Sequence, residues 1–121
     1  MNRTQTINYQ GKTIFLLDFS NLSAIDEINA VAHEAKAFIH RQAPHSQYTL
    51  TNIEGMHFNN QIKDIFVELA KSNKPYVRAG AIVGVTGMKQ ILFNGIMKLT
   101  GRDIKSFSSA EQAKSWLVAQ N

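Results

Sequence analysis

The order in which strand-like and helix-like segments follow one another constrains the fold more than any other feature of this sequence. Two strand-like segments come first, joined by a tight turn at Gly11-Lys12, and each later strand-like segment is followed by one with helical spacing of its apolar residues. The predicted strands cover residues 4–10, 13–19, 48–53, 76–85 and 104–107. Strands that alternate with helices form a mostly parallel sheet with right-handed crossovers and helices on its faces. We therefore predict one α/β domain over residues 1–121, with a mixed sheet of about five strands and four helices.

The predicted helices each begin next to a side chain that caps helices well. The first covers residues 24–42, the second runs to about Ser72, the third covers residues 87–100, and the fourth closes the chain. The candidate caps, in chain order, are Ser23, Asn59 or Asn60, Thr86, and Ser108 or Ser109. Gly101 is expected just after the third helix, where glycine commonly ends a helix.

The composition is that of a soluble globular protein, with 44% hydrophobic and 18% charged residues. The absence of cysteine excludes disulfides and thiolate chemistry, and is consistent with a reducing compartment. The first twenty residues lack the pattern of a signal peptide, and the apolar runs are too short to cross a bilayer. A cytoplasmic protein without a transmembrane segment is expected.

The net charge of +4 is unevenly distributed along the chain. Residues 1–60 carry four lysines and arginines against five carboxylates, whereas residues 61–121 carry nine against four. A basic half attracts acidic partners, but no dense basic run is present and aromatic residues do not alternate with basic ones. Nucleic acid is therefore not the expected partner.

Several strings in the second half resemble a known family. These are the segment 74–78 with the following 79–87, the segment 99–102, and the segment 107–113 that leads to Trp116-Leu117. They resemble the stand-alone bacterial branch of the STAS superfamily, which includes the anti-sigma-factor antagonists. The chain is also similar to families grouped loosely with the CRAL-TRIO lipid-binding domains. The resemblance covers almost the whole chain, and it implies a STAS-like fold with a role in binding other proteins.

The chain departs from that family at the position of its regulatory phosphorylation. The resemblance places the phosphorylated serine or threonine at the start of the second helix, after the third strand. The corresponding segment here, residues 52–60, contains no hydroxyl residue. A switch operated by a kinase at that point is therefore not expected, whereas protein binding by the same surface needs no hydroxyl.

The loop after the third strand is the first candidate site, because the resemblance implies that the family binds its partners there. It contains Glu54, Gly55, Met56, His57 and Phe58. Glutamate and histidine together can do acid–base chemistry, but the sequence provides no nucleophile or oxyanion partner nearby. Met56 and Phe58 would instead line an apolar pocket or pack beneath the loop.

The turn after the fourth strand is the second candidate site. Gly84, Thr86 and Gly87 lead into the start of the third helix, and Lys89 follows one turn later. Backbone N–H groups at a helix start favour an anion such as phosphate, and a lysine would add a full positive charge. The alternative is that the glycines only allow the helix to approach the sheet.

The third helix is the last candidate, because it has apolar residues on two sides. At 100° per residue, Met88, Leu92, Gly95 and Leu99 share one narrow face, which we predict to be the buried one. Phe93 and Met97 then fall on the opposite face, with Gln90 between them. Large apolar side chains on an exposed face indicate an interface, most simply that of a homodimer.

These observations lead to one functional prediction with one alternative. We expect a non-enzymatic STAS-like regulatory module that binds a protein partner or itself. The alternative is a carrier or sensor of a small apolar, lipid-like or anionic ligand. No complete set of catalytic or metal-binding residues is recognisable, so no cofactor and no metal are expected.

Overall fold

The computed structural model describes residues 3–120, and its elements follow the predicted order. The strands are β1 (Thr4–Tyr9), β2 (Lys12–Asp18), β3 (Gln47–Asn52), β4 (Val77–Val83) and β5 (Lys105–Phe107). The helices are α1 (Ile25–Ile39), α2 (Asn60–Asn73), α3 (Met88–Thr100) and α4 (Ala110–Val118). Every predicted element is present, and the boundaries differ from the predicted ones by at most three residues.

The strands form a single sheet in the order β1-β2-β3-β4-β5. β1 and β2 are antiparallel and are joined by a two-residue turn in which Gln10 and Gly11 both have positive φ, as this kind of hairpin turn requires. The remaining neighbours are parallel. β5 is short and pairs only with Ala81–Val83, so the first half of β4 has no ladder partner on that side. The predicted mixed, mostly parallel α/β architecture is confirmed.

Helices cover both faces of the sheet. α1, α2 and α3 bury one face around Phe15, Leu17 and Phe19, and α4 buries the other around Ile14 and Leu50. Successive residues of β2 alternate between these two cores, which explains why its sequence is apolar almost throughout. Within residues 3–120, none of the helices combines the length and the apolar character needed to cross a membrane.

Two of the predicted caps are present and two are not. The Asn59 side chain accepts a hydrogen bond from the Ile62 N–H at 2.9 Å, and Ser109 caps α4 in the same way. Gly101 ends α3 in the left-handed conformation, as predicted. Ser23 and Thr86 are not caps: α1 and α3 start one residue later than predicted, and neither start has a side-chain cap.

The predicted orientation of α3 is wrong. Phe93 is only 7% exposed and packs in the core with Ile96, and Met97 is partly buried against them. Met88 and Leu99, which we expected to be buried, are 81% and 59% exposed. The helix is therefore turned so that its aromatic residue, rather than its Met/Leu face, packs towards α2 and the sheet.

Candidate functional site

The carboxyl ends of β3, β4 and β5 meet at one edge of the sheet and enclose an open cleft of about 430 Å³, which we call the rim cleft. Its volume lies within the range of small-molecule sites. The lining residues are Glu54, Gly55, Gly84, Val85, Thr86, Ser106, Phe107 and Ser108. The structure thus brings the loops of the first two candidate sites together, and adds three residues from β5 and its exit that sequence reasoning missed.

Gly84 lets the two loops of the rim cleft approach closely. Its φ is +97°, and a Cβ atom there would lie 2.5 Å from the backbone nitrogen of Glu54. The Ile53 N–H donates to the Val83 carbonyl at 3.0 Å, which holds the same two chain segments together. Gly84 therefore serves close packing of the backbone, as the alternative to an anion site proposed. The segment that approaches it is the loop after β3, however, and not a helix.

The three residues after Gly55 do not line the rim cleft. Met56 is buried in the core, and Phe58 packs on the Phe66 ring at a centroid distance of 5.7 Å. His57 is exposed, and its Nε2 lies 3.3 Å from the side-chain nitrogen of Asn59. Glu54 and His57 thus do not line a common cleft, and acid–base chemistry by this pair gains no support from their positions.

Lys89 lies outside the rim cleft as well. Its ammonium group donates to the Ile53 carbonyl at 3.1 Å, so it is bonded to the chain just beyond β3. Gly87 lies in open space, and an added Cβ would meet no atom within 4 Å. Of the residues predicted to bind an anion, only Gly84 and Thr86 line the cleft.

An exposed apolar surface lies next to the rim cleft, on α3. We call it the α3 face: Met88, Ile91 and Leu99, with Leu92 and Gly95 partly exposed between them. Ile91 is 71% exposed. At 1.5 Å per residue, the face is about 16 Å long. Within residues 3–120, every exposed large hydrophobic side chain belongs to this face.

The charged residues of α3 itself are both positive. α3 contains Lys89 and Lys98 and has no acidic residue. Lys63 of α2 lies beside the centre of the face, with its Cε atom 3.6 Å from the position that a Cβ on Gly95 would take. A surface that is apolar in the middle and basic at its border favours a partner of opposite charge.

The five-stranded sheet has one antiparallel edge, three helices on one face and a fourth on the other, and this architecture is that of a SpoIIAA-like fold. The chain is similar to the crystal structure of an uncharacterized protein of the DUF3478 family from Shewanella loihica PV-4, which has a SpoIIAA-like fold. The TM-score is 0.71, at 12% sequence identity, and the match covers 94% of this chain and 91% of that one. No family model matches the sequence. The fold predicted from the resemblance is confirmed.

Proposed function

We propose that the protein is a non-enzymatic, STAS-like interaction module that binds another protein through the α3 face and the adjoining rim cleft. The proposed role is regulatory: the module changes the state of its partner by binding it, without a reaction of its own. We place this role in the cytoplasm, in keeping with the cysteine-free composition.

One observation carries this proposal: the exposed large hydrophobic side chains of residues 3–120 are concentrated on one helix face instead of being scattered. Single exposed apolar residues are common, but a contiguous apolar surface bordered by polar residues is typical of an interaction site. Met88 lies at the start of α3, two residues after Thr86 of the rim cleft, so the two surfaces adjoin. A partner that covers the α3 face would also reach the rim cleft.

The charge around the α3 face indicates the chemistry of the partner. We propose an apolar surface bordered by aspartate or glutamate, because Lys63 and Lys98 would then gain opposite charges. A second copy of this chain fits less well. In a two-fold dimer across the α3 face, the lysines of one copy would approach those of the other.

Replacing Ile91 with glutamate is expected to weaken partner binding strongly while leaving the fold intact. The side chain is 71% exposed, so a carboxylate there stays solvated in the free protein. In a complex it would be buried in an apolar contact, and we expect the affinity to fall at least about tenfold. Ile91→Met, which keeps the apolar contact, should bind as the wild type does. Calorimetric titration with the purified partner measures both.

The partner itself is identified by photocrosslinking in cells. A benzophenone amino acid at position 91 should crosslink a specific protein, and the same group at the exposed position Gln112 on α4 should not. The crosslinked protein is then purified and titrated. Equal crosslinking at both positions, a crosslink only to a second copy, or binding of Ile91→Glu equal to wild type would contradict the proposal. So would binding of the α3 face to vesicles of anionic phospholipid in place of a protein.

A further inference from the structure

A narrow apolar cavity lies inside the protein, between the sheet and the helices α2 and α3. Its free volume is about 50 Å³. Phe58 lies at one end, beyond the carboxyl end of β3, and Val77 and Arg102 lie at the other, beside the amino end of β4. Most of the walls between these ends are aliphatic or aromatic side chains. The cavity is thus mainly apolar, with the hydroxyl-bearing Thr49 and Thr51 in its β3 wall and a charged group, Arg102, at one end.

The polar end carries the guanidinium group of Arg102, which has no counter-ion among residues 3–120. Arg102 donates from Nη1 to the Ala70 carbonyl at 2.9 Å, and Gly80 makes room for it, since a Cβ there would lie 3.2 Å from Nη2. Burial lowers the pKa of Arg102 below the ordinary arginine value. Within residues 3–120, no carboxylate lies within 4.0 Å of the guanidinium. A largely buried guanidinium that has a carbonyl partner but no carboxylate partner is incompletely compensated, and a bound anion would relieve this.

Asn73 is a second polar group at this end of the cavity. It is 4% exposed and lines the cavity, and its Oδ1 has no hydrogen-bond partner in the part of the chain that the structure describes. Buried polar side-chain atoms nearly always have a partner. The carboxamide can present either its oxygen or, turned by half a rotation, its NH2 group. It is therefore equipped to bond to a polar group placed next to Arg102.

Outside Arg102, the surface is basic. A cleft of about 460 Å³, which we call the basic cleft, is lined by Lys74, Arg78 and Lys105 among others, and Arg102 lines both this cleft and the cavity. Among residues 3–120, the one carboxylate that lines this cleft is Asp103, which is paired with Lys105 at 3.3 Å. An anion approaching from solvent therefore meets positive charge before it reaches Arg102.

We propose that the cavity and the basic cleft together bind an amphipathic monocarboxylate, with its carboxylate on Arg102 and its apolar tail in the cavity. A carboxylate matches the fork of N–H donors on a guanidinium, and a single charge costs less to desolvate than a doubly charged phosphate. The free volume holds the first methylene groups of the tail. Met97, a flexible wall residue, would move to admit the rest. This proposal goes beyond the proposed partner binding and does not depend on the α3 face.

Calorimetric titration of the full chain with three probes tests the proposal. Sodium octanoate carries both the charge and the tail, sodium acetate carries only the charge, and 1-octanol carries only the tail. We expect octanoate to bind at least about tenfold more tightly than either of the other two. Octanoate that does not bind, acetate that binds equally well, or 1-octanol that binds equally well would each overturn the proposal.

Two variants and one control variant locate the ligand. Arg102→Gln should weaken octanoate binding at least about tenfold and leave 1-octanol binding unchanged, because only the ionic contact is lost. Lys71→Gln removes the same charge from an exposed position that lines neither the cavity nor the cleft, and should bind octanoate as the wild type does. Ala70→Val fills the cavity from α2 without changing any charge and should also weaken octanoate binding. Wild-type affinity in both Arg102→Gln and Ala70→Val would place the ligand elsewhere and overturn the assignment.

Discussion

Phe93→Glu is expected to destabilise the protein by about 4 kcal/mol or more. The phenyl ring is only 7% exposed and packs with Ile96 in the core beneath α3. The substitution removes that packing and places a carboxylate in a mainly apolar surrounding. Since small domains are stable by only about 5–15 kcal/mol, a loss of this size removes a large part of the total stability. Urea denaturation followed by circular dichroism measures the loss.

Ile91→Glu is the matched control for this prediction. It introduces the same charge on the same helix two residues away, but at a side chain that is 71% exposed. Its free energy of unfolding should stay within about 0.5 kcal/mol of the wild-type value. Equal losses in the two variants would show that the orientation of α3 is not the one described.

Gly84→Ala is expected to cost about 3 kcal/mol or more, for two separate reasons. The residue has φ +97°, a conformation that strains any side-chain-bearing residue. In addition, the new Cβ would lie 2.5 Å from the Glu54 nitrogen and 2.8 Å from its Cα atom. Both contacts are with backbone, so relief requires that the two loops of the rim cleft move apart. Chemical denaturation gives the cost, and amide hydrogen exchange at residues 53–55 detects the movement.

Gly11→Ala separates the two causes. Gly11 has φ +84°, but an added Cβ would meet no atom within 4 Å, so only the conformational strain is introduced. We expect a loss of about 1 kcal/mol for this variant. A Gly84→Ala variant no less stable than Gly11→Ala would contradict the close packing of the β3 and β4 loops.

The fold could be predicted from the sequence because its determinants are local or periodic. The continuous apolar run of β2 indicates a strand buried on both faces, and Asn59, Ser109 and Gly101 mark helix ends by their own side-chain or backbone chemistry. The orientation of α3 could not be predicted in the same way. Its periodicity defines two apolar faces, and the choice between them depends on contacts with α2 and the sheet, far away in sequence.

The candidate sites could be predicted where they consist of loops that directly follow parallel strands. The loops after β3 and β4 are neighbours in the rim cleft because parallel strands place their carboxyl ends at one edge. Ser106 and Ser108 line the rim cleft because β5 lies next to β4. The sequence does not specify that β5 is the neighbour of β4. Arg102 contacts Ala70 of α2 and approaches Gly80 of β4. Both contacts join residues far apart in sequence, so no local sequence pattern predicts them.

The shortness of β5 has a consequence for aggregation. Because β5 pairs only with Ala81–Val83, the strand segment that begins at Val77 presents an open flank to which a foreign polypeptide could add as a sixth strand. Lys74, Arg78 and Lys105 line the basic cleft beside that flank, and Arg78 donates from Nε to the His45 carbonyl at 3.2 Å. Charged side chains of this kind deter such additions, so we infer that these cations also protect the protein from fibrous self-assembly.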